Sequence, residues 1–250
     1  MNFQIASDFH IEKKTTDINI NNLIIPSAPY LILAGDIGSL YKFDQLKKFL
    51  EDVCKMFKDV IYVPGNHEFY TIRGIPGIPF YKLIKRLENL EESIPNLHIL
   101  NRSVVRIGKY CFIGSVLWSN CPEDSEFPKY RVCIHGFNKK KYNRFNKTDI
   151  SFIQNTVKMC KERNYIPIII THYPPSEKLL NPTFTNNNFK YLYFNNLEYM
   201  LNEQDIPMWI CGHTHWTFDM LSDNGTRLIA NQKGIKNDSN YENDFVISLS

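Results

Sequence analysis

Ile61-Tyr62-Val63-Pro64-Gly65-Asn66-His67-Glu68 joins an apolar run to a turn that carries an amide, an imidazole and a carboxylate. The β-branched and aromatic residues 61–63 are typical of a short buried strand, and the Pro-Gly pair ends that strand with a turn. Asn66 and His67 would then lie at the carboxyl end of the strand, the edge of an open α/β sheet where ligands bind. In isolation this motif fits an ordinary loop as well as a functional site, so the rest of the chain decides between them.

Two earlier apolar segments also end in polar residues. Phe3–Ala6 leads to Asp8 and His10, whose side chains point the same way because they are two residues apart on an extended chain. Tyr30–Ala34 leads to Asp36, and the glycine before this aspartate allows the backbone to turn sharply. Carboxylate oxygens and imidazole nitrogens at such positions are suited to a divalent metal ion.

An amphipathic helix is predicted between the second and third of these strands. Apolar residues recur at steps of three and four over residues 43–57. The helix completes a β-α-β unit, in which the two strands are parallel and close together. This topology would place Asp8, Asp36 and Asn66 on one edge of a sheet.

Two later segments deliver further histidines to strand ends. The strongly apolar Ile166–Thr171 is followed by His172, and Met208–Cys211 leads to His213 and His215. The chain has seven histidines, and five of them follow strand-like segments in this way, which random placement would not produce.

The remaining sequence predicts the other elements of an α/β protein. Helices are expected over residues 81–90, over residues 148–161 with Thr148 as N-cap, and over residues 195–204. Strands over residues 97–100, 104–107 and 110–117 would pack as a meander, and strands over residues 227–230 and 245–249 would close a second sheet. Residues 119–147 have little periodicity and are interpreted as mostly solvated loop.

Length and composition favour a single domain over residues 1–250. The chain is long enough for one large α/β domain, and no linker divides it. A net charge of +3 is too small to indicate nucleic-acid binding over the whole surface. The six cysteines are scattered without a Cys-x-x-Cys pair and are predicted to be reduced. No leader and no apolar run of membrane-spanning length occurs, so a cytoplasmic protein without membrane partners is expected.

Taken in chain order, the motifs resemble those of the calcineurin-like metallophosphoesterase superfamily. The matching blocks are Asp8-Phe9-His10, Gly35-Asp36, Gly65-Asn66-His67-Glu68, His172 and Gly212-His213-Thr214-His215. Each block is common alone, but the ordered set covers nearly the whole chain. The resemblance implies an α/β fold, a four-layer α/β/β/α sandwich of two mixed sheets flanked by helices, with a two-metal centre at the sheet edge.

The resemblance also implies the ligands of two divalent metal ions. Asp36 would bridge the ions; Asp8, His10 and His215 would complete one site, and Asn66, His172 and His213 the other. Oxygen and nitrogen ligands without a thiolate suit Mn, Fe, Zn or Ni and leave the choice open. A structural zinc site, which normally has four ligands, is a poor alternative for so many groups.

This ligand set implies the hydrolysis of a phosphoester. Two metal ions about 3.5–4 Å apart lower the pKa of a shared water, so that a metal-bound hydroxide attacks phosphorus in line without a covalent enzyme intermediate. His67 follows a ligand but is not a ligand in the family, and it would stabilise the phosphoryl group or protonate the leaving oxygen.

Departures from related motifs narrow the expected class of substrate. Protein serine/threonine phosphatases carry arginines in the blocks that here read Gly35-Asp36-Ile37-Gly38-Ser39 and Pro64-Gly65-Asn66. The chain is more similar to small stand-alone phosphoesterases, many of them phosphodiesterases, so a small phosphodiester or nucleotide-type substrate is favoured. The alternatives are a phosphomonoesterase, a nuclease suggested by the basic run 139–144, and a non-catalytic scaffold, which the intact ligand set disfavours.

Substrate selectivity is expected to lie in loops above the metal edge. Three segments could reach it: residues 69–79, 120–147 and 173–189. Arg131 could hold a phosphate by its planar fork, and Tyr173 and Trp216, each directly after a predicted ligand, could stack on a flat organic group. Ordinary packing is the competing interpretation for each of the three.

Overall fold

The computed structural model describes residues 1–14, 18–184, 188–235 and 240–249. Its first sheet has five strands in the order β11-β1-β2-β3-β4. The first four strands of the chain are parallel to one another, and the last strand is antiparallel to β1. The strands are β1 Asn2–Ala6, β2 Tyr30–Ala34, β3 Asp59–Val63, β4 Leu97–Ile99 and β11 Val246–Ser248.

The second sheet has six strands in the order β5-β6-β7-β8-β10-β9. The central pairs β6 with β7, β7 with β8 and β8 with β10 are parallel, and the two outer pairs are antiparallel. The strands are β5 Ser103–Ile107, β6 Tyr110–Ser115, β7 Ile166–Thr171, β8 Met208–Ile210, β9 Phe218–Leu221 and β10 Arg227–Ala230.

The two sheets pack face to face through alternate residues of their strands. Ile32 and Ile61 of the first sheet belong to one buried cluster with Phe112, Ile168 and Ile170 of the second. The alternate residues of the same strands are also buried, but against helices and loops on the outer faces. Burial on both faces explains why these parallel strands are apolar throughout.

Three helices cover the outer faces of the two sheets: α1 Phe43–Cys54, α2 Phe80–Ser93 and α3 Lys139–Glu162. α2 packs against β4 of the first sheet, and α3 packs against β6 and β7 of the second. The result is the four-layer α/β/β/α sandwich expected from the sequence. Among the described residues, no helix combines the length and apolar character needed to cross a membrane.

The prediction that three consecutive strands form one meander is wrong for the first of them, residues 97–100. β4 pairs with β3 in the first sheet, while β5 and β6 form a hairpin in the second. Between them Leu100 N still donates to Tyr62 O, whereas Arg102 N donates to Gly114 O. Arg102 has a positive φ of 59°, so the chain turns sharply and changes sheets within two residues.

The long third helix begins earlier than the sequence pattern indicated. Its N-cap is Asn138, whose side chain accepts a hydrogen bond from Lys141 N, and Thr148 lies inside the helix, with its hydroxyl donating to Arg144 O at 2.9 Å. The buried face includes Asn146 and Asp149. These two polar residues interrupt the apolar spacing, so the periodicity of the sequence did not predict the first part of the helix.

Two other expectations for the C-terminal part are wrong. Residues 195–204 form only a 3₁₀ turn at Glu198–Met200. The start of this segment is bonded to other parts of the chain: Leu197 N donates to Pro175 O, and the side-chain amide of Asn195 donates to Leu117 O. The final strand β11 pairs with β1 in the first sheet and does not close the second. The edge strands of the second sheet are β5 and β9, and β9 was not predicted from the sequence.

Candidate metal centre

Seven predicted ligands lie together at the carboxyl ends of five parallel strands. β1, β2 and β3 of the first sheet deliver four of them, and β7 and β8 of the second sheet deliver three. The parallel direction of the strands places all these ends on the same side of the sandwich. The residues are Asp8, His10, Asp36, Asn66, His172, His213 and His215.

One cluster of donor atoms is formed by Asp8, His10 and His215. His215 Nε2 lies 3.4 Å from Asp8 Oδ1 and 3.0 Å from His10 Nε2. Two ring nitrogens and a carboxylate oxygen therefore converge on one small volume.

A second cluster adjoins the first and contains Asp36, Asn66, His172 and His213. His172 Nε2 is 3.3 Å from Asp36 Oδ2, 2.9 Å from Asn66 Oδ1 and 3.2 Å from His213 Nδ1. Asp36 Oδ2 also lies 3.8 Å from His10 Nε2 of the first cluster. A single carboxylate oxygen thus faces both clusters, which is the geometry of a bridging ligand.

Hydrogen bonds behind the ligands fix which ring nitrogen faces each cluster. His172 Nδ1 is 2.9 Å from Ala34 O, so Nδ1 carries the proton and Nε2 faces the cluster. His213 Nε2 is 3.1 Å from Leu192 O, so here Nδ1 is the facing nitrogen. Burial and the neighbouring His172 lower the pKa of His213 to about 3, so that ring is neutral and can donate a lone pair to a metal.

The backbone at the ligands is strained. Five of them have positive φ: Asp8 at 58°, His10 at 47°, Asp36 at 52°, His213 at 74° and His215 at 53°. Non-glycine residues rarely adopt this region, and such strain persists only where the surroundings over-determine the conformation. A functional constraint on these turns is the inference that the strain supports.

Glu68 stabilises the strained turn at Asp36 and the turn at Gly65 through hydrogen bonds to their backbone, a role that was not predicted from the sequence. Its buried carboxylate accepts hydrogen bonds from Gly65 N at 2.6 Å, Ile37 N at 2.7 Å and the Tyr62 hydroxyl at 2.7 Å, with further bonds from Asp36 N and Gly38 N. Burial and the Asp36 charge raise the pKa of Glu68 to about 7, and these donors stabilise the ionised form. Its position directly after the Gly-Asn-His block was the available signal.

The donors therefore fit two divalent metal ions. Oxygen and nitrogen atoms converge in two adjoining clusters, pairs of ring nitrogens lie within 3.2 Å of each other, and the carboxylates of Asp8 and Asp36 are fully buried. Burying two carboxylates side by side is costly without compensating positive charge, and two cations would provide it.

His67 borders the clusters without belonging to either of the two ligand sets. Its side chain is 25 % exposed, and its Nδ1 lies 3.1 Å from Glu12 Oε1. Burial opposes protonation, but the Asp36 and Glu12 carboxylates raise the pKa of His67 above its usual value. Glu12 has no assigned role in the sequence analysis, although it lies two residues beyond His10.

A cavity of about 250 Å³ opens over the second cluster. Arg131 lines it, and its guanidinium lies 4.7 Å from the centre of the Phe189 ring. Tyr173 also lines it, but this residue is 1 % exposed and its ring lies 4.0 Å from that of His213. The other lining residues are Asp36, Asn66, His67, Tyr70, Val132, Leu192, Tyr193, His213 and His215.

The three expected selectivity segments differ in their contact with this cavity. Tyr70 comes from the first segment, Arg131 and Val132 from the second and Tyr173 from the third, although residues 185–187 lie outside the described part of the chain. Trp216 is not among the described lining residues; its ring packs 5.3 Å from that of Phe218. A larger groove of about 700 Å³, lined by Phe80, Arg102 and others, contains none of the seven ligands.

Two mixed sheets with two adjoining donor clusters at their strand ends define the class of two-metal α/β/β/α hydrolases. The chain belongs to the calcineurin-like phosphoesterase family, whose sequence model matches residues 1–217. Members of this family use a dinuclear metal centre, and the chain is accordingly a metal-dependent phosphoester hydrolase.

Individual proteins are similar to this chain at several levels. The uncharacterized protein L509 of Acanthamoeba polyphaga mimivirus is 31 % identical over 239 residues, covering 86 % of this chain and 82 % of that protein. The crystal structure of phosphopantetheinyl hydrolase from Mycobacterium tuberculosis aligns with a TM-score of 0.72 at 17 % identity, over 93 % of this chain and 89 % of that one. A dimetal phosphatase from Danio rerio aligns with a TM-score of 0.53 at 14 % identity, over 92 % and 86 % of the two chains. The two structural likenesses concern the fold.

Proposed function

We propose that this protein hydrolyses a small phosphodiester that carries a flat organic group, such as a nucleotide. The observation that carries the proposal is Arg131 together with aromatic residues in a cavity that is also lined by His67 and by Asp36, Asn66 and His213 of the second cluster. A guanidinium can pair with a phosphate through two parallel hydrogen bonds. Tyr193 and Tyr70 offer rings on which a base could stack, a contact worth about 1–3 kcal/mol.

The residues of the site would divide the work of hydrolysis. Two divalent metal ions held by the seven ligands would activate a water for in-line attack and neutralise phosphate oxygens. His67, at the cavity wall, would donate a proton to the leaving oxygen. Tyr173 would keep the His213 ring in place by stacking on it, and Arg131 would hold the part of the substrate beyond the scissile bond.

The two rival activities, a nuclease that would use the basic run 139–144 and a phosphomonoesterase, are less well supported. A nuclease would use these cations on a nucleic-acid backbone, yet Lys139 Nζ donates to Ser125 O at 2.7 Å and Lys141 Nζ lies 4.6 Å from the Phe137 ring centre. A phosphomonoesterase whose substrate lacks a flat organic group would leave the aromatic wall of the cavity without a contact.

A substrate panel tests the proposed function. The metal-loaded protein is assayed with cyclic nucleotides, a nucleotide diester, methyl 4-nitrophenyl phosphate, 4-nitrophenyl phosphate and single-stranded DNA. A phosphopantetheine diester joins the panel because one structural neighbour is a phosphopantetheinyl hydrolase. We expect the largest kcat/KM for a nucleotide diester. A preference for the monoester or for DNA would contradict the proposal.

Variants of the cavity wall test the role of Arg131. Arg131→Ala should raise KM for the nucleotide diester about tenfold with little change in kcat, because a charged hydrogen bond contributes about 1.5–3 kcal/mol to binding. The turnover of methyl 4-nitrophenyl phosphate should hardly change. Lys129→Ala removes a nearby exposed cation and is the matched control, and Trp216→Ala tests the other predicted contact. Equal effects on both diesters would show that Arg131 does not select the organic group.

A further inference from the structure

Glu12 lies between two imidazoles of the site. Its Oε1 atom is 3.1 Å from His67 Nδ1 and 3.4 Å from His10 Nδ1. The two rings are themselves 4.5 Å apart and nearly perpendicular. The Glu12 side chain is only 8 % exposed, so these contacts are largely shielded from water.

The turn after β1 aims this carboxylate at the two rings. Ile11–Lys13 form a 3₁₀ turn directly after His10, and the fully buried Ile11 donates its N–H to Ile37 O at 3.0 Å. Glu12 O accepts a hydrogen bond from Lys42 Nζ at 2.6 Å. The backbone on both sides of the Glu12 side chain is therefore tied to the segments that follow β2.

An ionised carboxylate can only accept hydrogen bonds, so both rings must offer it an N–H. Each ring then carries its proton on Nδ1, and Nε2 is left for other partners. His10 Nε2 faces His215 of the first cluster and Asp36 of the second. In His67, Nε2 becomes the atom that faces the substrate, and it carries a second proton when the ring acts as the proton donor.

We propose that Glu12 is a positioning residue that orients a metal ligand and the proton donor with one carboxylate oxygen. Its contact with His10 holds that ring as a ligand of the first cluster. Its contact with His67 holds the ring that faces the leaving group, and this half of the inference rests on the proposed function. Groups that orient metal-bound histidines typically change metal affinity or activity by about 10–100-fold when removed.

Kinetics at saturating metal test the contact with His67. For a diester with a poor leaving group, Glu12→Ala should lower kcat by about 10–100-fold and leave KM nearly unchanged. For a 4-nitrophenyl ester the loss should be much smaller, because that group leaves without protonation. Glu12→Gln keeps an acceptor oxygen and should be intermediate. Glu51→Ala, a carboxylate on α1 that lies 3.9 Å from Lys47, is the matched control.

A double-mutant cycle tests whether Glu12 acts through His67 or independently of it. His67→Ala should keep its metals and lose about 10²-fold in kcat on the poor leaving group. Adding Glu12→Ala to that variant at saturating metal should cost less than about threefold more, because His67 is already gone and the excess of metal offsets the lost contact with His10. Full multiplication of the two losses, or equal losses on both leaving groups, would overturn the inference.

Two measurements do not depend on activity. In ¹⁵N NMR spectra of the zinc-loaded protein, His10 and His67 should both carry a proton on Nδ1, with His67 also protonated on Nε2 in the form that donates to the leaving oxygen, and Glu12→Ala should alter both signals. Titration of the metal should show two ions per chain and weaker binding of one of them in Glu12→Ala. A wild-type ring with a proton on Nε2 and none on Nδ1 would overturn the inference. A third ion that is lost with Glu12 would also overturn it, since Glu12 Oε2 has no partner among the described residues. If the wild type hydrolyses no phosphoester, the proposed function fails while these spectra still test Glu12.

Discussion

Asp36 Oδ2 is the atom that the two donor clusters share. It lies 3.3 Å from His172 Nε2 and 3.8 Å from His10 Nε2, while Oδ1 accepts a hydrogen bond from His67 N at 2.8 Å. Burial opposes the ionisation of Asp36, but His172 and His67 keep its pKa well below the usual value. The carboxylate is therefore charged and held in one orientation before any ligand binds.

The shared oxygen leads to a prediction for Asp36→Asn. The amide is nearly the same size but neutral, so both metal positions lose the attraction of the central charge. We expect elemental analysis to show loss of metal from both positions and kcat to fall with it. Full occupancy by two ions with undiminished activity would contradict the bridging role of Asp36.

The pKa of His172 makes the stability of the metal-free protein depend on pH. Burial alone would lower that pKa, but the carboxylates of Asp36 and Asp8 raise it to about 9, against 6.5 for an ordinary histidine. Between these pH values the folded state holds a proton that the unfolded chain has lost. The resulting contribution to the free energy of unfolding is complete below pH 6.5 and is lost as the pH rises through 9.

We therefore expect the melting temperature of the metal-free protein to fall as the pH is raised from about 6.5 to above 9. Calorimetry in the presence of a chelator measures it. His172→Asn removes the titrating group and should show a flatter profile over the same range. Parallel profiles for the two proteins would show that His172 does not carry this dependence.

At the scale of the elements, close approach of three strand ends depends on Gly212. A Cβ atom at this position would lie 2.7 Å from Ala34 O and 2.7 Å from Asp8 Oδ2. The turn after β8 therefore reaches the ends of β1 and β2 only because residue 212 has no side chain. His213 N can in this way donate to the Asp8 carboxylate at 3.1 Å.

Gly212→Ala should separate the ends of the two sheets at the site. We expect metal affinity, measured by calorimetric titration, to fall at least tenfold, because a shift of the turn moves His213 and His215 away from the other ligands. Gly74→Ala is the control: its φ of +84° makes the substitution strained, but among the described residues no atom beyond its chain neighbours lies within 4 Å of the added Cβ. Unchanged metal affinity in Gly212→Ala would show that the site tolerates this movement.

At the scale of the whole molecule, the predicted ligands come from both sheets. Asp8, His10, Asp36 and Asn66 follow strands of the first sheet, and the remaining three follow strands of the second. Metal ions bound there would join the two layers at one end, in addition to the apolar contacts between the layers.

Removal of metal should therefore destabilise the whole fold. A ligand present at about 1,000 times its dissociation constant adds about 4 kcal/mol to the free energy of unfolding. We expect a chelator to lower the melting temperature by several degrees and re-addition of metal to restore it. Hydrogen exchange should accelerate most at the ends of β1, β2, β7 and β8. An unchanged melting temperature would mean that the metals contribute nothing to the packing of the sheets.

The sequence by itself determined the strands that carry the predicted ligands, because their information is local. β2 was predicted with its observed bounds, and the strands before Asp8, Asn66, His172 and His213 were found to within two residues. Buried parallel strands are apolar on both faces, and a polar residue directly after such a run marks its end. The ordered set of motifs was sufficient to indicate the family and the four-layer sandwich.

Only the tertiary structure decided which sheet the outer strands join and what surrounds the ligands. β4 and β11 have sequences that suit either sheet, and their partners depend on a turn at Arg102 and on the position of β1. The roles of Glu12 and Glu68 depend on contacts with residues 30 or more positions away, such as His67 and Ile37. A carboxylate within a motif looks the same in sequence whether it faces solvent or holds two imidazoles. The difference arises from long-range hydrogen bonds in a buried site, which local sequence does not encode.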